Sequence, residues 1–472
     1  MTAIRLPRPG VDRQLDASRA VRIVAGVGAA LLVLLLSMLG TSLAAVILIP
    51  ALIFVAIGMV VALNSPNALV PVAIYSMWFE GIAFGPLSVG RVVAALIPVI
   101  IVSRILTSSW RPPALRLRAW LPVALLMIWA WIGGFYAVSF GGGWMLGYFT
   151  LFLGVIYYVV FALFTESPDQ LCRLLMGWVW VGGVASILSD IAHFGFGYRT
   201  SGFTGNPNIF AGYLVAGFPI IVILLRHHMT TKTERWLLLL NIPIYLSALI
   251  ASGSRMGLIM GAVLGAYVFA TMPGLPLAKR VLSVVLGGIF MLATFFAFMI
   301  LNPERFSIAA FFGDRGAGRI DLWNAGVNTL RDNFLVGRGL GGFRLEIFDL
   351  LQRTSGADLN VLRQPEFLRA GAVESHNLYL TVAIDLGFIG FIFYFGVVAV
   401  TFVNLWQKRR SEWGDMVWAL QGVLGALMVG SFFGSQINGK LQWTIVGIAA
   451  AFWVRERITA PRRAVWVGEP EP

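Results

Sequence analysis

The chain has 472 residues, 58% of them hydrophobic and only 12% charged, with a mean hydropathy of +0.83. That balance excludes a soluble globular domain. Its long unbroken apolar runs exclude an outer-membrane barrel, whose strands alternate polar and apolar residues. The fold class is therefore an all-α polytopic membrane protein. The lone Cys172 excludes an intramolecular disulfide framework and a Cys-based structural zinc site.

In chain order, residues 1–20 are rich in Arg and Pro and read as a basic cytosolic tail; no small-residue cleavage site follows the first apolar run. A helix needs about 20 apolar residues to cross a hydrocarbon core of about 30 Å. On that criterion spans are expected near 21–39, 42–63, 67–85, 90–106, 119–138, 144–164, 170–192, 208–225, 235–252, 255–271, 280–301, 376–405, 413–433 and 438–454. The plan is a tail at 1–20, an N-terminal transmembrane bundle at 21–301, a polar loop at 302–375, C-terminal transmembrane helices at 376–454 and a second basic tail at 455–472. The loop holds nine Arg and nine Asp or Glu. Charges at that density are too costly for the bilayer core, so the loop lies in water against one membrane face, where chemistry is expected.

Orientation follows from the distribution of Lys and Arg. With the N-terminus in the cytosol, inside loops and tails collect 22 of the 35 basic residues, while the short outside connections keep four: Arg91, Arg199, Arg255 and Lys440. Both termini are thus expected inside and the large loop outside. The same distribution explains the net charge of +13 without a nucleic-acid partner.

Two of the outside cations stand in distinctive settings. Arg199 precedes Thr200-Ser201-Gly202-Phe203-Thr204-Gly205-Asn206-Pro207-Asn208, and Arg255 follows Ser252-Gly253-Ser254. A helix N-terminus offers free N–H groups and partial positive charge, so the Ser-Gly-Ser-Arg segment resembles a small anion site. The competing reading of either Arg is a side chain snorkelling to lipid phosphate.

Within the loop, a helical pattern opens at Arg319. Trp323, Val327, Leu330 and Phe334 form one apolar stripe that would lie along the membrane or cap the bundle. It closes on Gly337-Arg338-Gly339-Leu340-Gly341-Gly342, which no strand precedes; the glycines serve a tight turn or a close backbone approach, not a nucleotide. The loop ends at Glu374-Ser375-His376-Asn377. An imidazole can take a proton from a hydroxyl. No H-E-x-x-H, paired Asp or G-x-S-x-G accompanies it, so neither a metal nor a serine nucleophile is expected.

Arg199 with Gly205–Asn208, Ser254-Arg255, Arg319-x-x-x-Trp323 with the Gly337–Gly342 run, and His376-Asn377-x-x-Leu380 followed by Gly387 together resemble the O-antigen ligase/polymerase superfamily over roughly residues 195–405. The resemblance implies a GT-C-like bundle of about 12–14 spans in the bacterial cytoplasmic membrane. It further implies a glycosyltransferase with an extracytoplasmic active site that uses neither metal nor cofactor. Its partners would be an undecaprenyl-pyrophosphate-linked glycan donor, a glycan or glycolipid acceptor such as lipid A-core, and membrane lipids. By carry-over, Arg199, Arg255 and Arg319 hold the pyrophosphate, and His376 is the base or orients the acceptor. Catalysis would rest on His376, Arg255 and Arg319, with Glu374, Asn377, Arg338 and Asn208 in support.

Fourteen spans, against the twelve expected of a typical ligase, keep a polymerase open beside the preferred ligase. A glycolipid transporter or flippase is the alternative of another class. It would need charges inside spans, for which Glu80, Asp190 and Asp385 are the candidates.

Overall fold

The computed structural model describes residues 66–84, 87–107, 113, 116–137, 139–196, 200–272, 276–301, 319–344, 347, 351, 375–434 and 439–454. The expected spans at 21–39 and 42–63 and both tails lie outside them. The chain divides into two compact units between positions 111 and 112.

In the first unit, helix α1 (Leu69–Ser76) is followed by a 3-10 turn, a two-residue hairpin and helix α2 (Val89–Thr107). In the hairpin β1 (Ala83–Phe84) pairs antiparallel with β2 (Leu87–Ser88), Ala83 opposite Ser88. Eight residues of α1 reach only about 12 Å, so the apolar stretch expected to cross at 67–85 is not one spanning helix. Pro66, Gly81, Gly85 and Pro86 punctuate it. The Glu80 carboxylate is tied to this turn, accepting from Ser88 Oγ at 3.2 Å.

The second unit is a helical bundle: α3 (Leu117–Ile132), α4 (Leu146–Phe164), α5 (Pro168–Phe196), α6 (Pro207–Arg226), α7 (Lys232–Ala251), α8 (Arg255–Thr271), α9 (Leu277–Leu301), α10 (Arg319–Asp332), α11 (Leu378–Gln407), α12 (Gly414–Gly430) and α13 (Lys440–Val454). Among the described residues seven helices are long and apolar enough to cross a membrane, and α8 and α12 are shorter apolar helices. The protein is an all-α polytopic membrane protein. Its apolar surface says the same: on α9, Leu286 is 56% and Ile289 60% exposed, a ridge that water would not tolerate and lipid solvates.

Local chemistry sets where these helices begin. Asn206 caps α6 by accepting from the Asn208 N–H at 2.8 Å, with Pro207 in the first turn, where its missing N–H costs nothing. Thr231 and Glu234 form a reciprocal capping box at α7. Ser254 caps α8 and Asn377 caps α11.

Helix α11 is broken at Gly387, where φ is 68° and ψ −173°. A Cβ there would overlap the Leu335 carbonyl and the Gly337 nitrogen, so only glycine lets the two backbones approach this closely.

Candidate functional site

Chain alternation brings the starts of α6, α8, α11 and α13 and the ends of α7 and α12 to one end of the bundle. Hydrogen bonds join them there. The Thr200 N–H reaches the Ala251 carbonyl at the end of α7, at 3.4 Å. Ser254 Oγ accepts from the Gly257 N–H at 3.1 Å and donates to Asn208 Oδ1 at 2.7 Å, tying α8 to α6. The Leu378 N–H donates to Ser431 O at 2.8 Å and Tyr379 Oη to Met428 O at 2.8 Å, tying the start of α11 to the end of α12.

His376 stands in the turn entering α11. Among the described residues it alone combines a side chain with left-handed backbone, at φ 51°. Its neighbours fix that turn: Ser375 Oγ donates to the Asn377 carbonyl at 2.7 Å, accepts from the Asn377 N–H at 3.1 Å and meets Thr381 Oγ1 at 2.6 Å. The indole of Trp323 on α10 donates to the Ser375 carbonyl at 3.0 Å, so α10 is anchored one residue from His376.

Helix α10 packs on α11 through Leu322 and Ala325, which share a buried cluster with Phe343, Ile347, Leu351 and Ile384. The expected stripe is corrected by about one residue. Trp323 and Leu330 flank the buried face, but Val327 is 48% and Phe334 54% exposed. Gly326 decides the contact, because a Cβ there would press into Leu380 and Ile384.

The glycine run after α10 lies against the break in α11. Asp385 accepts from the Gly341 N–H at 2.9 Å and the Phe343 N–H at 3.2 Å, one through each carboxylate oxygen, and the Arg338 N–H donates to Ile384 O at 2.9 Å. The run serves close backbone approach. Asp385 is a latch for the loop, a role different from a charge lining a transport path.

His376, Asn206, Asn208, Met256, Phe433, Lys440 and Gln442 line one cavity of about 90 Å³. Arg319 lies over one of the wall residues, with its Cζ 5.9 Å from the Phe433 ring centroid. Lys440 is buried at the start of α13, its Nζ 5.4 Å from the centroid of the Tyr157 ring.

Four of the expected site residues thus gather here: His376, Asn208, Arg319 and, as the cap that sets the His376 turn, Asn377. Arg255 is bracketed by Ser254, bonded to Asn208, and Met256 in the cavity wall. Arg338 sits instead in the glycine run at the α11 break. Arg199 and Glu374 lie outside the described residues. Lys440 and Gln442 were not singled out by sequence. Lys440 carried a signal nonetheless, as one of the four cations assigned to short outside connections.

Residues 236–395, about a third of the chain, match the family model described as O-Antigen ligase (Wzy_C). No match is found among curated proteins. That family's activity is of the glycosyltransferase type in O-antigen synthesis, with a lipid-linked glycan donor and a glycan acceptor. The matched segment runs from the second turn of α7 into α11 and contains Arg255, Arg319, the glycine run and His376. Over that segment the chain is similar to the O-antigen ligase family.

Proposed function

We propose that this protein transfers a glycan from undecaprenyl pyrophosphate to an acceptor hydroxyl at the outer face of the bacterial cytoplasmic membrane, as an O-antigen ligase does with a lipid A-core or related glycolipid. The observation that carries this reading is the setting of His376. A side chain held in left-handed backbone costs about 1–2 kcal/mol, and such strain collects at functional sites. Here it accompanies a ring that shares a small polar cavity with Lys440, Asn206 and Asn208, beside the Arg319 guanidinium.

The acceptor oxygen attacks the anomeric carbon, the bond from that carbon to the pyrophosphate breaks, and the acceptor proton passes to His376. Negative charge grows on the departing undecaprenyl pyrophosphate. Arg319 and Arg255 meet it with paired, charge-assisted hydrogen bonds, joined by Arg199 and by Lys440 from the cavity wall. The starts of α6, α8, α11 and α13 add the partial positive charge of helix N-termini. Asn377 and Asn208 act by position, one capping the helix behind His376 and the other fastening α8 to α6; Glu374 supports the site from the loop. The 22-to-4 distribution of cations supports both termini in the cytosol and the site outside.

Reconstitution in liposomes with an undecaprenyl-pyrophosphate glycan and a lipid A-core acceptor tests the proposal, with products separated by gel and weighed by mass spectrometry. One capped product, formed equally in EDTA, is the expected result. A ladder without acceptor would assign a polymerase. Movement of intact donor between leaflets without transfer would overturn the enzyme reading in favour of a flippase.

A further inference from the structure

At the end of the bundle away from His376, three metal-ligand side chains converge. Asp169 stands in the first turn of α5, and His227 and His228 follow the last residue of α6. Helix α6 has 20 residues, so it separates this group from Asn208 by roughly 30 Å of rise. Both imidazole Nε2 atoms approach the same carboxylate oxygen, Asp169 Oδ1, His227 at 3.3 Å and His228 at 3.8 Å. The three ligand atoms all lie within 4.8 Å of one another.

Those spacings bear on two explanations. A charge-assisted N–H to carboxylate bond runs about 2.7–2.9 Å, and both contacts are longer. An ion of the Zn²⁺ class holds imidazole nitrogen and carboxylate oxygen at about 2.0–2.2 Å in tetrahedral array, which sets neighbouring ligand atoms roughly 3.3–3.6 Å apart. His227 already sits at that edge length. His228, with 73% of its side chain exposed, has room to rotate toward that length.

The donor set narrows the ion. Two imidazoles with one carboxylate suit borderline metals such as Zn²⁺, Co²⁺ or Ni²⁺, while Mg²⁺ and Ca²⁺ favour oxygen ligands throughout. The Met229 N–H faces His227 Nδ1 at 3.4 Å, a long contact that a ring bound through Nε2 would give up. All three residues line one cavity of about 940 Å³, so an ion held by them keeps access to water for its remaining positions.

We propose that Asp169, His227 and His228 bind one transition-metal ion of the Zn²⁺ class and so staple the start of α5 to the turn between α6 and α7. The site is separate from the glycan-transfer reading and stands or falls without it.

The test uses the full-length protein in detergent, purified through a tag without histidine and stripped with chelator. Titrated Co²⁺ should give visible absorption saturating at one ion per chain, displaced by Zn²⁺ and untouched by millimolar Mg²⁺. H228Q alters an exposed side chain and should fold as the parent does; it should weaken Co²⁺ binding at least tenfold. D169N should do the same, and the double variant H227Q/H228Q should abolish the signal. Zn²⁺ should raise the melting temperature of the parent but not of the double variant. No Co²⁺ absorption at tenfold excess, or equal affinity in the parent, H228Q and D169N, would overturn the proposal and leave the trio as an ion pair between helices.

Discussion

The Ser254 hydroxyl and the Asn208 side chain, 46 residues apart, share a hydrogen bond of 2.7 Å. Ser254 thereby serves two structures at once, since its oxygen also accepts from the Gly257 N–H at the head of α8. Neither role involves a ligand. What the pair fixes is the spacing between two helix starts, and with it the position of Arg255 and of the Asn206–Asn208 wall of the cavity.

Ser254→Ala removes both bonds and should lower stability by about 1–2 kcal/mol. Asn208→Ala removes the inter-helix bond alone and should cost less. The double variant should cost about as much as Ser254→Ala, because the two residues share one interaction. Thermal unfolding in detergent reads all three, and simple additivity would mean the bond contributes nothing.

Arg319→Ala and Arg255→Ala should each lower transfer by about 30- to 1000-fold, the range for removing one oriented charge-stabilising group, while leaving folded protein in the membrane. Lysine should restore little, because it lacks the planar fork that pairs with phosphate oxygens. Activity near that of the parent in both Ala variants would return these side chains to snorkelling at the lipid surface.

His376→Ala should abolish turnover and leave donor binding largely intact, since the cations remain. For the parent, a base must be unprotonated, so rate should climb as pH rises through about 6–7, where imidazoles ordinarily titrate. Glu374 is the rival base. A dead Glu374→Gln beside an active His376→Ala would reassign the role.

Lys440→Met should weaken transfer mainly at low donor concentration if the ammonium holds the donor phosphates. Methionine keeps most of the stem over the Tyr157 ring, so melting temperature is the control for lost packing. A variant with unchanged concentration dependence would make Lys440 a structural cation.

Gly387→Ala should prevent normal folding. It adds the cost of left-handed backbone, about 1–2 kcal/mol, to an overlap with the Leu335 and Gly337 backbone. Yield of monodisperse protein after detergent extraction is the measurement, and normal yield would mean the loop can slide away from α11.

Much of the bundle was legible because hydrocarbon thickness imposes one length on every crossing helix. Expected spans such as 208–225 and 376–405 differ by only a residue or two from Pro207–Arg226 and Leu378–Gln407. The same criterion erred at 67–85, where apolar composition outweighed the Pro and Gly that break the run. His376, Arg319 and Asn208 were visible as polar exceptions beside apolar segments. The contact face of α10 was not: large side chains drew the stripe, while the small Ala325 and Gly326 decide how closely α10 approaches α11. Lys440 was hidden for another reason. It belongs to no motif, and only the packing of α13 against α4 turns it inward.

The break in α11 bears on how this protein is built into a membrane. Gly387 lies nine residues from the helix start, about 14 Å along a 30-residue apolar span. Hydrocarbon leaves no water for stranded backbone groups. Here the loop segment supplies the partners: the Phe388 and Ile389 N–H groups donate to Phe334 O and Leu335 O, while the Trp129 indole on α3 donates to Leu386 O at 2.8 Å. A newly inserted α11 would therefore be incomplete alone. Docking of α3 and of the chain after α10 is what completes it.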